Sequence, residues 1–154
     1  MPLPISEIMR GLGHLKRLNA PVPPGFWALS PATIAERCNG IGSDHPSTKW
    51  LVQPTTFVFR WMLDASIAHD LWWSDLYNDG SRKRFDLSND GFRETLHLFA
   101  NESFGAMWLP ALRETFRASR RWQADRARWI LGSPPCFEIW EKNKAFEPGP
   151  EVMG

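Results

Sequence analysis

Apolar side chains recur at intervals of three and four residues over much of the chain, which is the pattern of amphipathic α-helices. The clearest run covers residues 54–77, where no helix breaker occurs before Asn78. Val58, Ala65 and His69 fall on one stripe of this segment, and further apolar residues lie beside the stripe. A helix that is apolar around most of its girth belongs in a core. The pattern therefore predicts a central helix that carries His69 inward or into a cleft.

Three further helices are predicted from their start signals and periodicity. Ser30 precedes Pro31, a combination of N-cap and first-turn proline, and this helix should end near Cys38. Ser88 can cap a second helix. A long third helix should cover about residues 106–131 and is rich in arginine. Its inner stripe should consist of Leu109, Leu112, Phe116 and Ser119.

No stretch is rich in strand-forming residues, so the fold class is mainly α. We expect a single domain with two long antiparallel helices, an irregular Pro/Gly-rich N-terminal region and an Arg-rich third long helix. The antiparallel pair should be the central helix and the helix after Ser88, because a short polar connector joins them. Residues 137–140 should form a short strand or an extended segment. The predicted boundaries are an irregular arm over 1–29, a helical domain over 30–140 and a flexible tail over 141–154.

Composition restricts the classes of function. The 154 residues carry a formal net charge of +1, which does not favour a nucleic-acid or membrane partner for the chain as a whole. Nine Trp and ten Phe indicate a bulky core or a partly exposed aromatic surface. Cys38 and Cys136 lie far apart, so neither a disulfide framework nor a structural zinc site is expected. No signal peptide and no membrane-spanning segment is recognised, which predicts a cytoplasmic location.

The adjacent His69 and Asp70 are the main candidates for chemistry. Antiparallel packing of the central helices would bring the end of one beside the start of the next, and therefore His69 beside Asp90. Asp90 would then hold one imidazole nitrogen and raise the basicity of the other. Asp70 would face the loop 40–44 and bind a cation with Asp44 and carbonyl oxygens, a ligand set that suits Ca²⁺. Such a site would activate water and polarise an ester carbonyl.

The same residues also allow purely structural roles. A histidine at a helix end can hydrogen-bond a carboxylate for stability alone, and Asp90 can stabilise the first turn of its helix. Asp44 and Ser47 are common turn or cap residues. The arginine-rich helix is compatible with a solvated face, with a contact to phosphates, or with an acidic partner subunit. Trp122 and Trp129 beside arginines are also typical of protein interfaces.

Three short motifs surround these candidates. S-D-H-P-S-T-K-W covers residues 43–50, D-A-S-I-A-H-D-L-W-W covers residues 64–73, and S-N-D-G-F covers residues 88–92. In this order they resemble a phage and prophage family catalogued as domain of unknown function 1353, whose members read D-x-x-S-x-P near a Trp, A-x-x-H-D-x-x-Y and A-D-x-x-F. The resemblance spans about residues 40–125. It implies a protein of the bacterial host cytoplasm, with the virion as the alternative location.

The same order of residues is similar to bacterial secreted phospholipase A(2), which combines a calcium loop, an H-D-x-x-Y helix and an aspartate on the antiparallel partner helix. This resemblance implies His69 as the base, Asp70 as the Ca²⁺ ligand and Asp90 as the residue that orients the histidine. Ser47 would support the loop. Trp73 stands where the phospholipase motif has its tyrosine, and it offers an indole N–H in place of a phenol.

Two hypotheses about function follow. The first is a small phage-type hydrolase that acts on an ester or amide of the host cell envelope through a His-Asp site, with Ca²⁺ as its cofactor. The second is a non-catalytic virion or assembly protein that binds phage structural proteins, or further copies of itself, through Trp/Arg-rich surfaces. No membrane span is expected, and the arginine-rich helix leaves nucleic acid open as a partner.

Overall fold

The computed structural model describes residues 3–38 and 60–145. Within these ranges every regular element is helical, which confirms the predicted mainly α class. The elements are α1 (Ile5–Arg17), α2 (Pro31–Arg37), α3 (Leu63–Trp72), α4 (Arg82–Glu102), α5 (Pro110–Leu131) and α6 (Pro134–Lys142), with 3-10 turns at Phe26–Ala28 and Arg60–Met62. Helix α1 packs on α2 and α3, α3 packs on α4, and α4 packs on α5 and α6.

Two helices begin at serine caps. Ser30 Oγ accepts a hydrogen bond at 3.1 Å from a backbone N–H in the first turn of α2, as predicted. Helix α4 is capped by Ser81 and not by Ser88, because the turn over residues 78–80 ends immediately before it. Gly80 provides the left-handed backbone of this turn, with φ of 75°. Ser88 is instead buried inside α4.

Helices α3 and α4 pack against each other in the predicted antiparallel arrangement. The end of α3 lies beside the first three turns of α4: the ring centroids of Trp73, which follows α3, and Phe85 are 5.8 Å apart, and those of His69 and Phe92 are 4.8 Å apart. Helix α3 has 10 residues, so it covers only part of the helix predicted over 54–77, and the part before residue 60 lies outside the described residues. The longer antiparallel pair consists of α4 with 21 residues and α5 with 22.

The N-terminal region contains a helix where an irregular arm is predicted. Ile8 and Leu15 are fully buried on the inner side of α1. A Cβ at Gly11 would overlap the Ile67 side chain of α3, so this glycine permits the close approach of α1 and α3. Gly11 lowers the intrinsic helix propensity of this segment, but the packing of α1 on α3 requires it. The Pro-rich segment over 20–25 has no helix, as expected.

The strand or extended segment predicted over 137–140 is wrong, because these residues belong to α6. Pro134 lies at the start of this helix, where its fixed backbone angle favours helix initiation. Trp140 is fully buried, and Asn78 Nδ2 donates a hydrogen bond to its carbonyl oxygen at 2.9 Å. This bond ties α6 to the turn before α4. The predicted flexible tail falls mostly outside the described residues.

Candidate functional site

His69 lies on α3 and faces α4, as the antiparallel pairing requires. Its Nε2 donates a hydrogen bond to Asn89 Oδ1 at 3.1 Å, and Asn89 Nδ2 donates to the carbonyl oxygen of Leu131 at 3.4 Å. The second bond determines which end of the Asn89 amide faces the histidine, and this assigns the ring proton to Nε2. An uncharged amide therefore holds the histidine where a carboxylate is predicted.

Burial sets the charge of the His69 ring. The residue is 9% exposed, and loss of solvent lowers its pKa from 6.5 to about 4, although the Asn89 hydrogen bond acts in the opposite direction. The ring is therefore neutral near pH 7. An efficient general base has a pKa close to the working pH, whereas a ring with so low a pKa binds protons weakly. His69 thus lacks both the partner and the basicity expected of a water-activating histidine.

Asp90 faces α5 instead of His69, which corrects the predicted pair. Arg128 Nε donates a hydrogen bond to Asp90 Oδ1 at 2.6 Å, and the Asp90 side chain is 64% exposed. With 3.6 residues per turn, neighbouring positions of a helix lie about 100° apart. When Asn89 faces α3, Asp90 must therefore face the groove between α4 and α5. The prediction is therefore one position off: the amide of Asn89 faces His69, whereas the carboxylate of Asp90 faces α5.

Asp70 lies partly exposed in the last turn of α3, and its charge acts on the thiol of Cys38. Burial, and to a lesser extent the Asp70 carboxylate, raises the pKa of this thiol and keeps it protonated. Asp44 and Ser47, the predicted loop ligand and loop support, lie outside the described residues. Over 3–38 and 60–145, no three His, Cys, Asp or Glu side chains are grouped so that they could hold a metal ion. The Ca²⁺ site stays a prediction.

Trp73 belongs to an aromatic cluster. Its ring centroid lies 5.3 Å from that of Trp140, 5.8 Å from Phe85 and 5.6 Å from His69. In the described part of the chain, its indole Nε1 has no hydrogen-bond partner. The tryptophan at the tyrosine position of the motif therefore packs α3 against α4 and α6, and it helps to exclude solvent from His69.

A second histidine, which the sequence analysis did not single out, has carboxylates at both ring nitrogens. His14 of α1 places Nδ1 3.0 Å from Asp64 Oδ2 on α3, and Nε2 2.9 Å from Glu102 Oε2 on α4. Both ring nitrogens of His14 therefore lie within hydrogen-bond distance of a carboxylate oxygen. The ring also stacks on Phe99, with centroids 4.0 Å apart. No short motif signals this site, because its partners lie 50 and 88 residues away in the chain.

Arginines complete the charge balance around His14. Arg10 contacts Asp64 at 3.0 Å, and Arg17 contacts Glu102. Arg17, with a further contribution from His14, lowers the pKa of Glu102, although burial opposes the shift. Each carboxylate of this cluster, which we call the His14 clamp, is thus neutralised by partners within the fold. The His14 clamp joins α1, α3 and α4, and we interpret it as a structural connection between these helices.

Helix α5 packs on α4 through its arginine-rich side. Arg117 Nε donates to a backbone carbonyl oxygen after α4 at 2.9 Å, and Arg121 donates to an amide oxygen of α4 at 2.8 Å. The guanidinium of Arg120 lies 4.5 Å from the ring centroid of Phe104. Ala124 is the only residue of α5 that is buried. The inward side of α5 therefore combines arginines that contact α4 and the segment after it with small and apolar side chains such as Ala124.

The opposite side of α5 faces solvent and carries several large apolar side chains, so the predicted inner stripe through Leu109, Leu112, Phe116 and Ser119 is wrong. Arginine side chains occupy the inner positions because α4 and the segment after it supply acceptors and aromatic rings for them. Five side chains define the surface that we call the α5 apolar face: Leu112 (48% exposed), Phe116 (46%), Trp122 (60%), Trp129 (71%) and Ile130 (56%).

Comparisons with known proteins found no protein similar to this chain. No family model, no curated protein and no solved structure matches the chain. The resemblances to domain of unknown function 1353 and to phospholipase A(2) therefore stay predictions. Among the residues that the structure describes, no helix combines the length and apolar character needed to cross a bilayer.

Proposed function

We propose that the chain is a non-catalytic binding protein that docks a partner subunit on the α5 apolar face. The observation that carries this proposal is the orientation of α5, whose arginine side contacts the fold while its large apolar side chains meet solvent. A surface helix normally turns its apolar side toward the core. A large exposed apolar surface is typical of an interaction site.

The size and composition of the α5 apolar face support this function. A fully exposed large aromatic side chain presents roughly 150–250 Å², so the five partly exposed side chains together offer on the order of 500 Å². Tryptophan and arginine are enriched at the energetic centres of protein interfaces. The guanidinium of Arg126 lies 5.2 Å from the ring centroid of Trp122, which adds one cation to the face. Glu114 and Asp125 each pair with an arginine of the fold.

The hydrolase hypothesis stays a prediction with less support. Its proposed base, His69, is buried and held by an amide, and Asp90 contacts Arg128. Its cation site depends on Asp44, which lies outside the described residues. A role in a phage virion or its assembly is the expectation that the resemblance supplies. In such a role, the α5 apolar face is the surface that the assembly would use.

Site-specific photo-cross-linking tests the proposal in cells of the native source. A photo-reactive phenylalanine derivative replaces Trp122, so that an aromatic ring stays at this position, and the matched control replaces Lys16, an exposed residue of α1. We expect a cross-linked partner at position 122 only. The purified partner should bind the wild type and lose roughly 30-fold in affinity with Trp122→Ala, but not with Lys16→Ala.

Two results would overturn the proposal. One is the absence of any partner whose binding depends on Trp122. The other is hydrolysis of phospholipid or peptidoglycan by the wild type that His69→Ala abolishes while the fold, followed by circular dichroism, is retained. The second result would instead support the hydrolase hypothesis.

A further inference from the structure

The order of side chains along α5 indicates which partner the α5 apolar face fits. We infer that the partner is a second copy of this chain, bound through an antiparallel α5–α5 pair, an inference that rests on the proposed function. The exposed side of α5 follows the alternating three- and four-residue spacing of a helix–helix seam. The seam positions, all exposed, are Leu112, Thr115, Ser119, Trp122, Arg126 and Trp129.

Antiparallel pairing of this seam with itself matches large side chains with smaller ones. With a two-fold axis between positions 120 and 121, Trp122 meets Ser119 of the second copy, and Trp129 meets Leu112 of the second copy. An interface between two identical chains about a two-fold axis must be complementary to itself. The small side chain of Ser119 leaves room for an indole ring near the axis, where interface centres contribute most to affinity.

The one charged residue of the seam, Arg126, would also have a polar residue of the second copy opposite it. Arg126 meets Thr115 of the second copy, whose hydroxyl donates to its own helix backbone at 2.9 Å and retains lone pairs that can accept from the guanidinium. At 1.5 Å per residue, the two Arg126 side chains lie about 16 Å apart along the pair. This separation exceeds the screening length of about 8–10 Å at moderate salt, so their repulsion is weak.

The buried area is sufficient for a reversible dimer. Ile130 lies beside the seam, in position to meet Leu109 of the second copy, and both side chains are partly exposed. The two copies together would bury roughly 1,000 Å², which is near the lower limit for a specific interface. We therefore expect a dimer of about micromolar affinity.

A partner rich in acidic groups fits this surface less well. Such a partner needs free basic side chains, whereas Arg117, Arg121 and Arg128 form hydrogen bonds within the fold. Arg126 adds a single cation to a surface that is otherwise apolar or uncharged. Its charge alone provides little attraction for an extended acidic segment at physiological salt.

Sedimentation of the purified chain over a range of concentrations measures the dimer. The wild type should dimerise, and Trp122→Ala and Trp129→Ala should each weaken the dimer by roughly 10-fold or more. Trp27→Ala is the matched control, because Trp27 is 50% exposed on the 3-10 turn before α2 and away from the seam. A dimer that is unchanged by both α5 substitutions would overturn the inference.

Cysteine cross-linking tests the register in a Cys136→Ser background, where the remaining Cys38 is buried. A short bis-maleimide should link Ser119→Cys chains to one another, because position 119 lies beside the two-fold axis. It should not link Ala111→Cys chains, whose cysteines would lie about 28 Å apart along the pair at 1.5 Å per residue. Linkage of Ala111→Cys, as a parallel pair would give, contradicts the inference.

The outcomes separate this inference from the proposed function. A wild type that stays monomeric at roughly 100 µM, well above a micromolar Kd, overturns self-association. If the photo-reactive residue at position 122 then captures a different protein whose binding depends on Trp122, the proposed function stands with another partner. If it captures nothing, both are wrong.

Discussion

His69 is a basic side chain that the fold keeps neutral, so we expect acid to destabilise the protein through this residue. Folding lowers the pKa of the ring from 6.5 to about 4, because the buried site excludes the water that would solvate the charge. Between these two values the unfolded chain binds a proton that the folded chain does not. The unfolding free energy is therefore highest well above pH 6.5, where the ring is neutral in both states. It decreases progressively as the pH falls from 6.5 toward about 4, because only the unfolded chain takes up the proton.

The size of the effect follows from the shift. At about 1.4 kcal/mol per pKa unit, the His69 shift corresponds to a loss of about 3 kcal/mol of unfolding free energy between the two pKa values. Below about pH 4 both states are protonated and this loss ends. A total stability of roughly 5–15 kcal/mol is usual, so the loss is readily measurable.

Urea unfolding of the wild type and of His69→Gln, from about pH 7 to about pH 4.5, measures the effect. Glutamine cannot take up a proton in this range, yet its amide can donate to Asn89 as the histidine ring does. The wild type should lose more stability on acidification than the variant by about 2 kcal/mol over this range. His97→Gln is the control, because the His97 ring is partly exposed and contacts Asp125 at 2.9 Å.

A difference between wild type and His69→Gln that stays constant with pH would refute the reasoning. It would mean that the ring titrates in the folded protein as it does in the unfolded chain. An equal change on His97→Gln would assign the acid sensitivity to histidines in general.

Three further predictions concern packing, capping and thiol chemistry. Gly11→Ala should lower the unfolding free energy by about 1–3 kcal/mol through overpacking, whereas Gly13→Ala, which has no neighbour within 4 Å of its Cβ, should raise it by up to about 1 kcal/mol in the same urea assay. Ser81→Ala should cost about 1 kcal/mol of unfolding free energy by removing the cap of α4, and equal stabilities would contradict the cap. A thiol reagent should modify the partly exposed Cys136 in the native protein and leave the buried Cys38 unmodified until urea is added, as peptide mass spectrometry can show.

The helical class, the Ser30 cap and the proximity of His69 to the next helix are predictable from the sequence, because they depend on local signals and on short connections. The partner of His69 is not. Asn89 and Asp90 are neighbours in the chain, and the choice between them depends on how far α4 is rotated about its axis. The aromatic contacts of Trp73 and Phe85 help to set that rotation, and they depend on α6.

The orientation of α5 was unpredictable for a related reason. Apolar periodicity alone assigns Leu112 and Phe116 to the core, since arginine side chains are usually solvated. The arginines lie inside because acceptors after and along α4 meet Arg117 and Arg121 at hydrogen-bond distance. Those acceptors can be recognised only when the register of α4 against α5 is known. Side-chain polarity along one helix contains no information about that register.

The His14 clamp has a consequence for the order in which the chain folds during synthesis. The imidazole of His14 contacts partners 50 and 88 positions later in the chain, so the connection from α1 to α4 depends on residues that are synthesised much later than α1. A chain that ends before Glu102 keeps the contacts of α1 with α2 and α3 but loses the contact of His14 with α4, so the amides of α1 should exchange faster than in the full chain, and equal exchange would contradict this order. The contact between α1 and α4 can therefore form only after Glu102 has left the ribosome, and it is a late step of folding.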